Sequence, residues 1–297
     1  MSKQLIEGLV IRAYNSFYYI KPDESAELIT CKLRGRFKQE RFSLLVGDRV
    51  SAEIAKDGTG SIDKILPRSS FLLRPAVANL QQVVLVFAMR QPDYSLMLID
   101  KMLALYSKSG VQLVLCFNKC ELATEGQDTL RNIYEKIGYK VLFTSVKSRL
   151  GIEELQTLLK GKISAFAGPS GVGKSSLLNE LQPGLALQTG EVSDKIGRGK
   201  HTTRYSQLLD LDMGGYIADT PGFSSVDTEL FRDDNLGSLF VDIRELAQGC
   251  KFTSCKHDQE PECAVKAAVN SGELNAGRYE NYLSILHDIK ELRDKRR

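Results

Sequence analysis

The sequence, 297 residues long, predicts three domains: a small N-terminal β-barrel, a central α/β domain and a mainly α-helical C-terminal domain that binds a metal. Three observations lead to this fold class. Short strands separated by turn signals fill the first part of the chain, buried strands then alternate with helices, and cysteines and a histidine cluster in a helical C-terminal part. We expect the domains to span residues 1–67, 68–225 and 226–297.

The composition is that of a globular protein with a sizeable core: 42% of the residues are hydrophobic and 26% are charged. No apolar run approaches the roughly 20 residues that a membrane-spanning helix needs, and the first residues lack the apolar core of a signal peptide. We therefore expect a cytoplasmic protein with no membrane partner. In that compartment the six cysteines are not expected to form disulfides.

The N-terminal domain is predicted to be an OB-fold, a five-stranded barrel that binds oligonucleotides through a sheet face and its loops. Turn signals separate its predicted strands, which span residues 5–14, 16–20, 28–33, 49–54 and 60–65. Segment 32–41 holds five basic residues and would form a loop of the barrel, and the tail 290–297 holds five more. Each basic segment is as consistent with solvated surface charge as with phosphate contacts.

The central domain is organised around a phosphate-binding loop. Its predicted strands and helices alternate, with strands at 82–88, 111–117, 139–144 and 163–167 and helices at 96–109, 128–137 and 152–159. The last of these strands leads into a sequence that fits the P-loop pattern G-x-x-x-x-G-K-[ST], and a helix follows it. Backbone N–H groups of such a loop bind phosphate, its lysine reaches the terminal phosphates and its serine binds Mg²⁺. The predicted phosphate-binding residues are Gly168, Pro169, Ser170, Gly171, Val172, Gly173, Lys174, Ser175 and Ser176, with Ser175 also a magnesium ligand.

A second motif predicts which nucleotide binds. The sequence Asn118-Lys119-Cys120-Glu121 follows a buried strand, where the guanine-reading motif N-K-x-D belongs. The acidic residue of that motif accepts hydrogen bonds from the guanine N1–H and exocyclic amine, which adenine does not offer. Here Glu121 replaces aspartate, so its side chain is one methylene longer. We expect Asn118, Lys119 and Glu121 to select GTP, assisted by Ser145 in the loop after the next strand.

Two segments after the P-loop have the features of nucleotide-sensing switches. The sequence at 219–222 fits D-x-x-G, in which Asp219 would hold a magnesium-bound water and the Gly222 N–H would meet the γ-phosphate. In the glycine-rich segment 197–203, Thr203 is expected to complete the magnesium shell when GTP is bound.

The residue after the D-x-x-G turn is Phe223, whereas many GTPases have a glutamine there that orients the attacking water. Either hydrolysis is very slow without a partner or another group positions the water. His201, in the glycine-rich segment, is the predicted catalytic residue, because histidine is the usual group for proton transfer near neutral pH. A histidine that contacts only solvent or a partner is the alternative.

Three cysteines and a histidine occur within fourteen residues near the C-terminus, at Cys250, Cys255, His257 and Cys263. Three thiolates and one imidazole are enough for a closed tetrahedral zinc site, although the spacing differs from the common C-x₂-C. Since a closed site leaves no position for water, the predicted zinc ion is structural.

The order of these motifs is unusual. The guanine-recognition motif precedes the P-loop, and the two switches come last. Ordinary GTPases begin with the P-loop and end with base recognition, so the same parts in rotated order indicate a circular permutation. Because the second switch then adjoins the zinc segment, we hypothesise that the nucleotide state moves the C-terminal domain.

These motifs resemble those of the circularly permuted ribosome small-subunit-dependent GTPase A family of bacteria, over nearly the full chain. The resemblance is carried by residues 168–176, 197–204, 219–223 and 250–266, and Glu121 departs from the family pattern. It implies GTP hydrolysis stimulated by the 30S subunit, a part in late 30S maturation, contacts with 16S rRNA, and Zn²⁺ and Mg²⁺ as cofactors. We expect a monomer.

Two other functions are compatible with parts of the sequence. A GTP-switched regulator would control a protein partner through its C-terminal zinc domain. A P-loop kinase acting on a small molecule is disfavoured by the two switch motifs and by the lack of a lid-like segment. Adding purified 30S subunits to a GTPase assay distinguishes these functions from ribosome-stimulated hydrolysis.

Overall fold

The computed structural model of the chain describes residues 4–34, 44–55, 57–73, 76–123, 125–185, 206–219, 231 and 235–295. The chain divides into two compact units. The first is bounded by Met1–Val84, Ile152–Ala167 and Lys174–Phe223, and the second by Leu85–Gly151, Gly168–Gly173 and Ser224–Arg297. Among the helices of the described residues, none combines the length and the apolar character needed to cross a membrane.

A closed five-stranded barrel begins the first unit. Its strands are β1 (Gln4–Tyr14), β2 (Phe17–Pro22), β3 (Ile29–Leu33), β4 (Arg49–Ile54) and β5 (Gly60–Ile65). β2 pairs with β1 and β3, β5 pairs with β3 and β4, and β4 pairs with β1, which closes the barrel. The predicted small barrel is therefore confirmed, with strand ends within two residues of those expected.

Alternating apolar side chains fill the barrel. Its buried core residues are Val10, Ile20, Cys31, Leu44, Val50, Ala52 and Ile62. The tight turn between β1 and β2 is made by Asn15 and Ser16, which have φ values of +48° and +65°. This turn places Tyr14 opposite Phe17 at the tip of the hairpin. A short hairpin of β6 (Phe71–Leu73) and β7 (Ala76–Ala78) follows the barrel and was not predicted.

The second unit holds the first strands of the α/β part. β8 (Gln82–Ala88), whose last four residues belong to this unit, lies beside β9 (Gln112–Asn118), and β9 pairs in parallel with β10 (Lys140–Phe143). Helices α1 (Leu96–Ser107) and α2 (Gln127–Tyr134) connect them. All residues of β8 are buried, which explains why it is continuously apolar apart from its first residue, Gln82.

The remaining α/β elements belong to the first unit. They are α3 (Ile152–Leu159), β11 (Ile163–Ala167), α4 (Lys174–Leu181), β12 (Ser206–Asp210) and β13 (Tyr216–Asp219). β11 and β13 are parallel, and β13 forms an antiparallel hairpin with β12. β12 pairs in turn with β1 of the barrel, where Arg12 lies opposite Gln207. Barrel and α/β strands thus form one hydrogen-bonded arrangement within this unit.

The C-terminal part of the second unit is helical around a loop of metal-binding residues. Its helices are α5 (Leu236–Leu239), α6 (Val241–Leu246), α7 (Ala264–Ser271) and α8 (Ala276–Asp294). A core that includes Phe231, Phe240, Val265, Tyr282 and Ile285 holds them together. Ala104 of α1 belongs to the same core, so these helices pack on the α/β part of their own unit. The predicted mainly α-helical C-terminal region is confirmed.

Candidate nucleotide-binding site and metal centre

The P-loop leaves β11 at Ala167 and enters α4 at Lys174. All three of its glycines have backbone angles that other residues rarely adopt, with φ of +142° at Gly168, +79° at Gly171 and +96° at Gly173. A Cβ atom on Gly168 would lie 2.0 Å from the carbonyl oxygen of Val86 in β8. The loop therefore passes the backbone of β8 too closely for a side chain at this position.

Asn118, at the end of β9, fastens the base-recognition motif to the P-loop. Its Nδ2 donates a 3.0 Å hydrogen bond to the carbonyl oxygen of Val172, and the residue is buried. Its Oδ1 accepts a 3.2 Å bond from the Thr144 hydroxyl, which fixes the orientation of the amide. Gly173 lies against the same side chain, and a Cβ there would lie 2.3 Å from Asn118 Nδ2.

Lys119 makes a second connection to the P-loop. Its backbone is left-handed, with φ of +59°, and its ammonium group donates to the carbonyl oxygen of Gly171 at 2.6 Å and to that of Gln91. Motif spacing predicted Asn118 and Lys119 but missed the supporting roles of Thr144 and Gln91. A hydroxyl at the end of the neighbouring parallel strand was the available signal for Thr144.

Lys174, Ser175 and Ser176 form the first turn of α4. Lys174 is partly buried, and desolvation lowers the pKa of its ammonium group. A bound phosphate would place negative charge beside the ammonium group and raise that pKa again. Ser175 and Ser176 are exposed, so their hydroxyls are accessible to ligands that approach the start of the helix.

Glu121 lies in a short 3₁₀ turn, Cys120–Leu122, and is exposed. The turn is anchored at its start, because the Cys120 N–H donates a 3.2 Å bond to the carbonyl oxygen of Thr144. The carboxylate is thus carried by a turn that follows Lys119 directly, the place where the guanine-reading acid belongs.

Ser145 shapes the loop that follows β10. It is buried; its N–H donates to the carbonyl oxygen of Leu150 at 3.0 Å, and its hydroxyl accepts a 3.1 Å bond from the Ser148 N–H. Its own N–H is therefore used within the loop, while its hydroxyl proton is not committed by the bond from Ser148.

The switch residues are only partly described. Asp219 is the last residue of β13, as expected for a D-x-x-G turn that closes a strand. The predicted catalytic His201, the magnesium ligand Thr203, and Gly222 of the second switch lie outside the described residues, as does Phe223.

The four predicted zinc ligands come together. The ligand atoms of Cys250, Cys255, His257 and Cys263 all lie within 4.8 Å of one another. His257 Nδ1 lies 3.6 Å from Cys250 Sγ and 3.5 Å from Cys263 Sγ, and the two sulfurs are 3.8 Å apart. A regular tetrahedron around zinc has S···S edges of about 3.8 Å and S···N edges of about 3.6 Å, given metal–ligand distances of about 2.3 and 2.0–2.1 Å. The cluster therefore fits a zinc ion.

Neighbouring groups hold these ligands in place. Burial tends to raise the pKa of the Cys250 thiol, but hydrogen bonds from the backbone of Ala264 and Val265 and from the neighbouring thiols lower it overall, which favours the thiolate. The Tyr279 hydroxyl donates a 2.7 Å bond to the carbonyl oxygen of His257, so α8 positions the loop that carries the imidazole.

Comparison with known proteins agrees with this geometry. Residues 65–229 match the family model described as RsgA GTPase, and residues 7–62 match that of the RsgA N-terminal domain. A relative from Moorella thermoacetica, named small ribosomal subunit biogenesis GTPase RsgA, is 45% identical over 284 residues, which are 96% of this chain and 97% of the relative. A relative of the same name from Clostridium perfringens (strain 13) is 43% identical over 285 residues, with 96% and 98% coverage.

Two solved structures share the fold. The crystal structure of YjeQ from Thermotoga maritima superposes with a TM-score of 0.79 at 38% identity, over 96% of this chain and 99% of that one. The structure of YloQ, described as a circularly permuted GTPase, gives a TM-score of 0.80 at 36% identity, over 97% and 96% of the two chains. The permutation inferred from the order of the motifs is thereby confirmed. The chain belongs to the RsgA GTPase family.

Proposed function

We propose that the protein is a GTPase that binds the small ribosomal subunit, hydrolyses GTP when that subunit stimulates it, and assists a late step of the subunit's maturation. The guanine-nucleotide part of this proposal rests on one observation. Asn118 and Lys119 are hydrogen-bonded to the P-loop, so the base-recognition motif lies next to the phosphate-binding loop. The ribosomal part rests on the names of the relatives, small ribosomal subunit biogenesis GTPase RsgA. Those names do not favour a regulator of a protein partner.

The bound nucleotide would contact three parts of the chain. Backbone N–H groups of residues 168–173, together with Lys174, would hold the phosphates, and the hydroxyls of Ser175 and Ser176 would complete that contact. Glu121 would accept two hydrogen bonds from guanine, and the loop of Ser145 would meet the opposite edge of the base. The side chain of Lys119, already directed at the P-loop, would lie along the base.

Ser175, Thr203 and Asp219 would hold Mg²⁺, which would neutralise the negative charge that develops on the phosphates during hydrolysis. Ser175 follows the P-loop lysine in α4, and Asp219 ends β13, the parallel neighbour of β11. The N–H of Gly222 would contact the γ-phosphate and so make the second switch sensitive to hydrolysis.

Hydrolysis breaks the bond between the γ-phosphorus and the β–γ bridging oxygen while a water oxygen attacks in line. His201 would orient this water and receive its proton, because Phe223 has no polar group for either task. His201→Ala should abolish stimulated hydrolysis and leave GTP affinity nearly unchanged. His287→Ala, which removes a histidine of α8 bonded to Asp258, is the matched control. Unchanged turnover of the His201 variant would refute the assignment.

Guanine selection is tested by comparing GDP with inosine diphosphate, which lacks the exocyclic amine. The native chain should prefer GDP by about tenfold or more, the effect of a charge-assisted hydrogen bond of roughly 1.5–3 kcal/mol. Glu121→Ala should lose most of this preference, whereas Glu125→Ala, an exposed acid nearby, should keep it. Equal binding of the two nucleotides by the native chain would refute guanine selection.

The ribosomal part is tested by adding purified 30S subunits to the chain under multiple-turnover conditions. We expect GTP hydrolysis to accelerate by about tenfold or more, a barrier change of at least about 1.4 kcal/mol. Large subunits at the same concentration are the control and should leave the rate unchanged. No acceleration by 30S subunits would refute ribosome-stimulated hydrolysis and would point to a different partner.

The barrel carries a surface that suits 16S rRNA. Tyr14 and Phe17 are exposed at the tip of the first hairpin, and Lys32 Nζ lies 4.7 Å from the centroid of the Phe17 ring. Exposed rings beside a lysine can stack on unpaired bases while neutralising phosphate. Arg34 is different, because it forms ion pairs with Glu53 and Asp63 and is therefore used within the barrel.

Other parts of the basic segments are also restricted. Residues 35–43 lie outside the described part of the chain, and Lys290 in the tail is bonded to Asp258 at 2.8 Å. The region from residue 226 onward carries eleven Lys and Arg against fourteen Asp and Glu. The barrel, more than this region, is thus our proposed electrostatic anchor on rRNA.

The proposal includes three further expectations. Domain boundaries at residues 67 and 225 would separate an rRNA-binding barrel, the permuted GTPase domain and the zinc domain. The chain would act as a monomer on each particle, and it would do so in the cytoplasm, where small subunits mature.

A further inference from the structure

A buried ion cluster joins the C-terminal helices to the α/β part of the second unit. It consists of Asp100 of α1, Tyr134 of α2, Asp242 of α6, and Arg278 and Asn281 of α8, and we call it the Arg278 cluster. The Arg278 side chain is only 3% exposed and that of Asp100 is fully buried. Neither the nucleotide-binding residues nor the zinc ligands include any of these side chains.

Every nitrogen of the Arg278 guanidinium has a partner. Nε and Nη2 donate to the two carboxylate oxygens of Asp242 at 2.7 and 3.0 Å, and Nη1 donates to Asp100. Asp100 also accepts bonds from the Tyr134 hydroxyl at 3.1 Å and from Asn281 Nδ2 at 2.7 Å. The guanidinium carbon lies 5.5 Å from the centroid of the Tyr134 ring. The cluster thus defines one relative position for four helices.

Such a cluster is poorly explained by stability alone. Apolar residues of similar volume often stabilise a fold as well as a buried ion pair does, whereas removing one partner from a pair costs about 3–5 kcal/mol. A bidentate guanidinium–carboxylate pair instead imposes a defined geometry, because both hydrogen bonds are lost when the groups move apart. The Arg278 cluster is therefore suited to hold helices in register.

The two α/β helices of the cluster flank the base-recognition motif. α1 follows the segment that contains Gln91, whose carbonyl oxygen accepts a bond from Lys119. α2 begins at Gln127, shortly after the turn that carries Glu121. A shift of either helix would displace a segment that holds Lys119 or Glu121, and Lys119 is itself bonded to the P-loop.

We propose that Arg278 is a positioning residue that couples nucleotide binding to the docking of α6 and α8, the helices on either side of the zinc-ligand loop and α7. This inference rests on the proposed binding of guanine nucleotides to residues 118–121 and the P-loop. When α6 and α8 are packed on α1 and α2, the Arg278 cluster holds α1 and α2 in the positions at which the base-recognition motif can bind a guanine nucleotide. By linkage, bound nucleotide must stabilise the docked state of α6 and α8 by the same factor by which docking strengthens nucleotide binding.

The test uses the full chain and two conservative variants. Arg278→Lys keeps the charge but loses the bidentate fork, and Asp242→Asn keeps the shape but loses the carboxylate. Arg131→Lys is the matched control, because Arg131 of α2 forms an exposed ion pair with Glu135 and takes no part in the cluster. GDP dissociation constants are measured for all of them with a fluorescent analogue, alongside the thermal midpoint without nucleotide.

We expect both cluster variants to bind GDP about fivefold or more weakly than the native chain, the lower end of usual coupling factors. The control variant should bind normally. A purely structural role would lower the thermal midpoint and leave the affinity of the folded protein unchanged, and that result would overturn the inference.

A second measurement needs no variant, in case the variants do not fold. Hydrogen exchange of amides in α6 and α8 is followed in the native chain with and without saturating GDP. Slower exchange with GDP supports the coupling, and equal exchange overturns it. A native chain that binds no guanine nucleotide would instead refute the proposed function, so the two failures are distinguishable.

Discussion

At the scale of single residues, Gly173 of the P-loop packs directly against the side chain of Asn118. Gly173 has φ of +96°, and a Cβ there would lie 2.3 Å from the amide nitrogen that bonds to Val172. The absence of a side chain is therefore required twice, by the backbone conformation and by the neighbouring amide. One position in the P-loop thus controls both phosphate binding and the attachment of the base-recognition motif.

We predict that Gly173→Ala weakens GDP binding about tenfold or more, because Asn118 must move and loses a hydrogen bond worth roughly 1 kcal/mol in addition to the distorted loop. Gly110→Ala is the matched control: its φ is also positive, at +68°, but no atom lies within 4 Å of the added Cβ. It should cost about 1 kcal/mol of stability from backbone strain and leave binding intact. Equal affinities for the two variants would contradict the steric explanation.

A second property of a single residue is the raised pKa of the buried Asp100 carboxyl. Desolvation raises its pKa to about 6, and Arg278 with the hydrogen bonds from Asn281 and Tyr134 only partly opposes this. The folded chain therefore binds the Asp100 proton more tightly than the unfolded chain, whose aspartate has a pKa of about 3.9. Protonation of Asp100 stabilises the folded chain fully below about pH 3.9. This stabilisation is lost as the pH rises through about 6.

We predict a corresponding pH dependence of the free energy of unfolding. The native chain should lose about 1–3 kcal/mol relative to Asp100→Asn between pH 4 and pH 7.5. Asp57→Asn should show the opposite sign, because the hydroxyl and N–H of Thr59 lower the pKa of the exposed Asp57. Denaturant unfolding at several pH values measures both, and a pH-independent difference for Asp100→Asn would contradict the raised pKa.

At the scale of elements, the metal-binding loop connects two short helices that the apolar core of the C-terminal region also supports. α6 spans six residues and α7 eight, lengths at which an isolated helix is marginal in water. The four ligands lie between and beside these helices, so a bound zinc ion would close the loop from Cys250 to Cys263 and secure both ends of it.

We predict one zinc ion per chain and its loss in Cys255→Ser. Metal removal by a chelator should lower the thermal midpoint of the C-terminal helices and increase hydrogen exchange in α7, since the thiolates would then repel one another in a partly buried site. Cys31→Ala changes a buried barrel cysteine and should keep the full zinc content. Retention of zinc by Cys255→Ser would show that the cluster is assigned wrongly.

At the scale of the whole molecule, the barrel is attached to the α/β part of the first unit by strand pairing. β1 pairs with β12, and Lys21 of β2 forms a 2.8 Å ion pair with Asp210 at the end of β12. Strand pairing and an ion pair therefore connect the barrel to the α/β strands within that unit. A surface of the barrel that binds 16S rRNA, as proposed, would be attached to these strands.

We predict that Phe17→Ala combined with Lys32→Ala weakens binding to 30S subunits by about tenfold or more, since stacking on one base contributes roughly 1–3 kcal/mol. The slope of log affinity against log salt concentration should also become shallower, by about the amount that one phosphate contact contributes. Phe71→Ala, which removes a more exposed ring on the β6–β7 hairpin, is the control. Sedimentation with 30S subunits measures the affinities, and an effect no larger than that of the control would contradict an rRNA contact at this hairpin.

Local patterns in the amino-acid sequence are sufficient to predict much of this protein. The barrel strands, the P-loop and the four clustered zinc ligands each depend on residues that are close along the chain, and the permutation is indicated by the order of such local motifs. Alternation of apolar residues indicates which strand face is buried, and the P-loop glycines indicate a backbone conformation that only they adopt readily. These signals are independent of distant contacts, so the sequence alone is enough to identify them.

The side chains that act together, in contrast, are determined by tertiary packing. Arg278 and Asp100 are 178 positions apart, and Asn118 is 54 positions from Val172. Neither contact has a pattern in the sequence, because the pairing depends on how helices and loops pack. The same reason explains why the sequence of segment 32–41 was equally consistent with phosphate contacts and with solvated charge, whereas Arg34 forms ion pairs within the barrel. Sequence motifs define the chemistry of this protein, whereas packing determines how its parts are coupled.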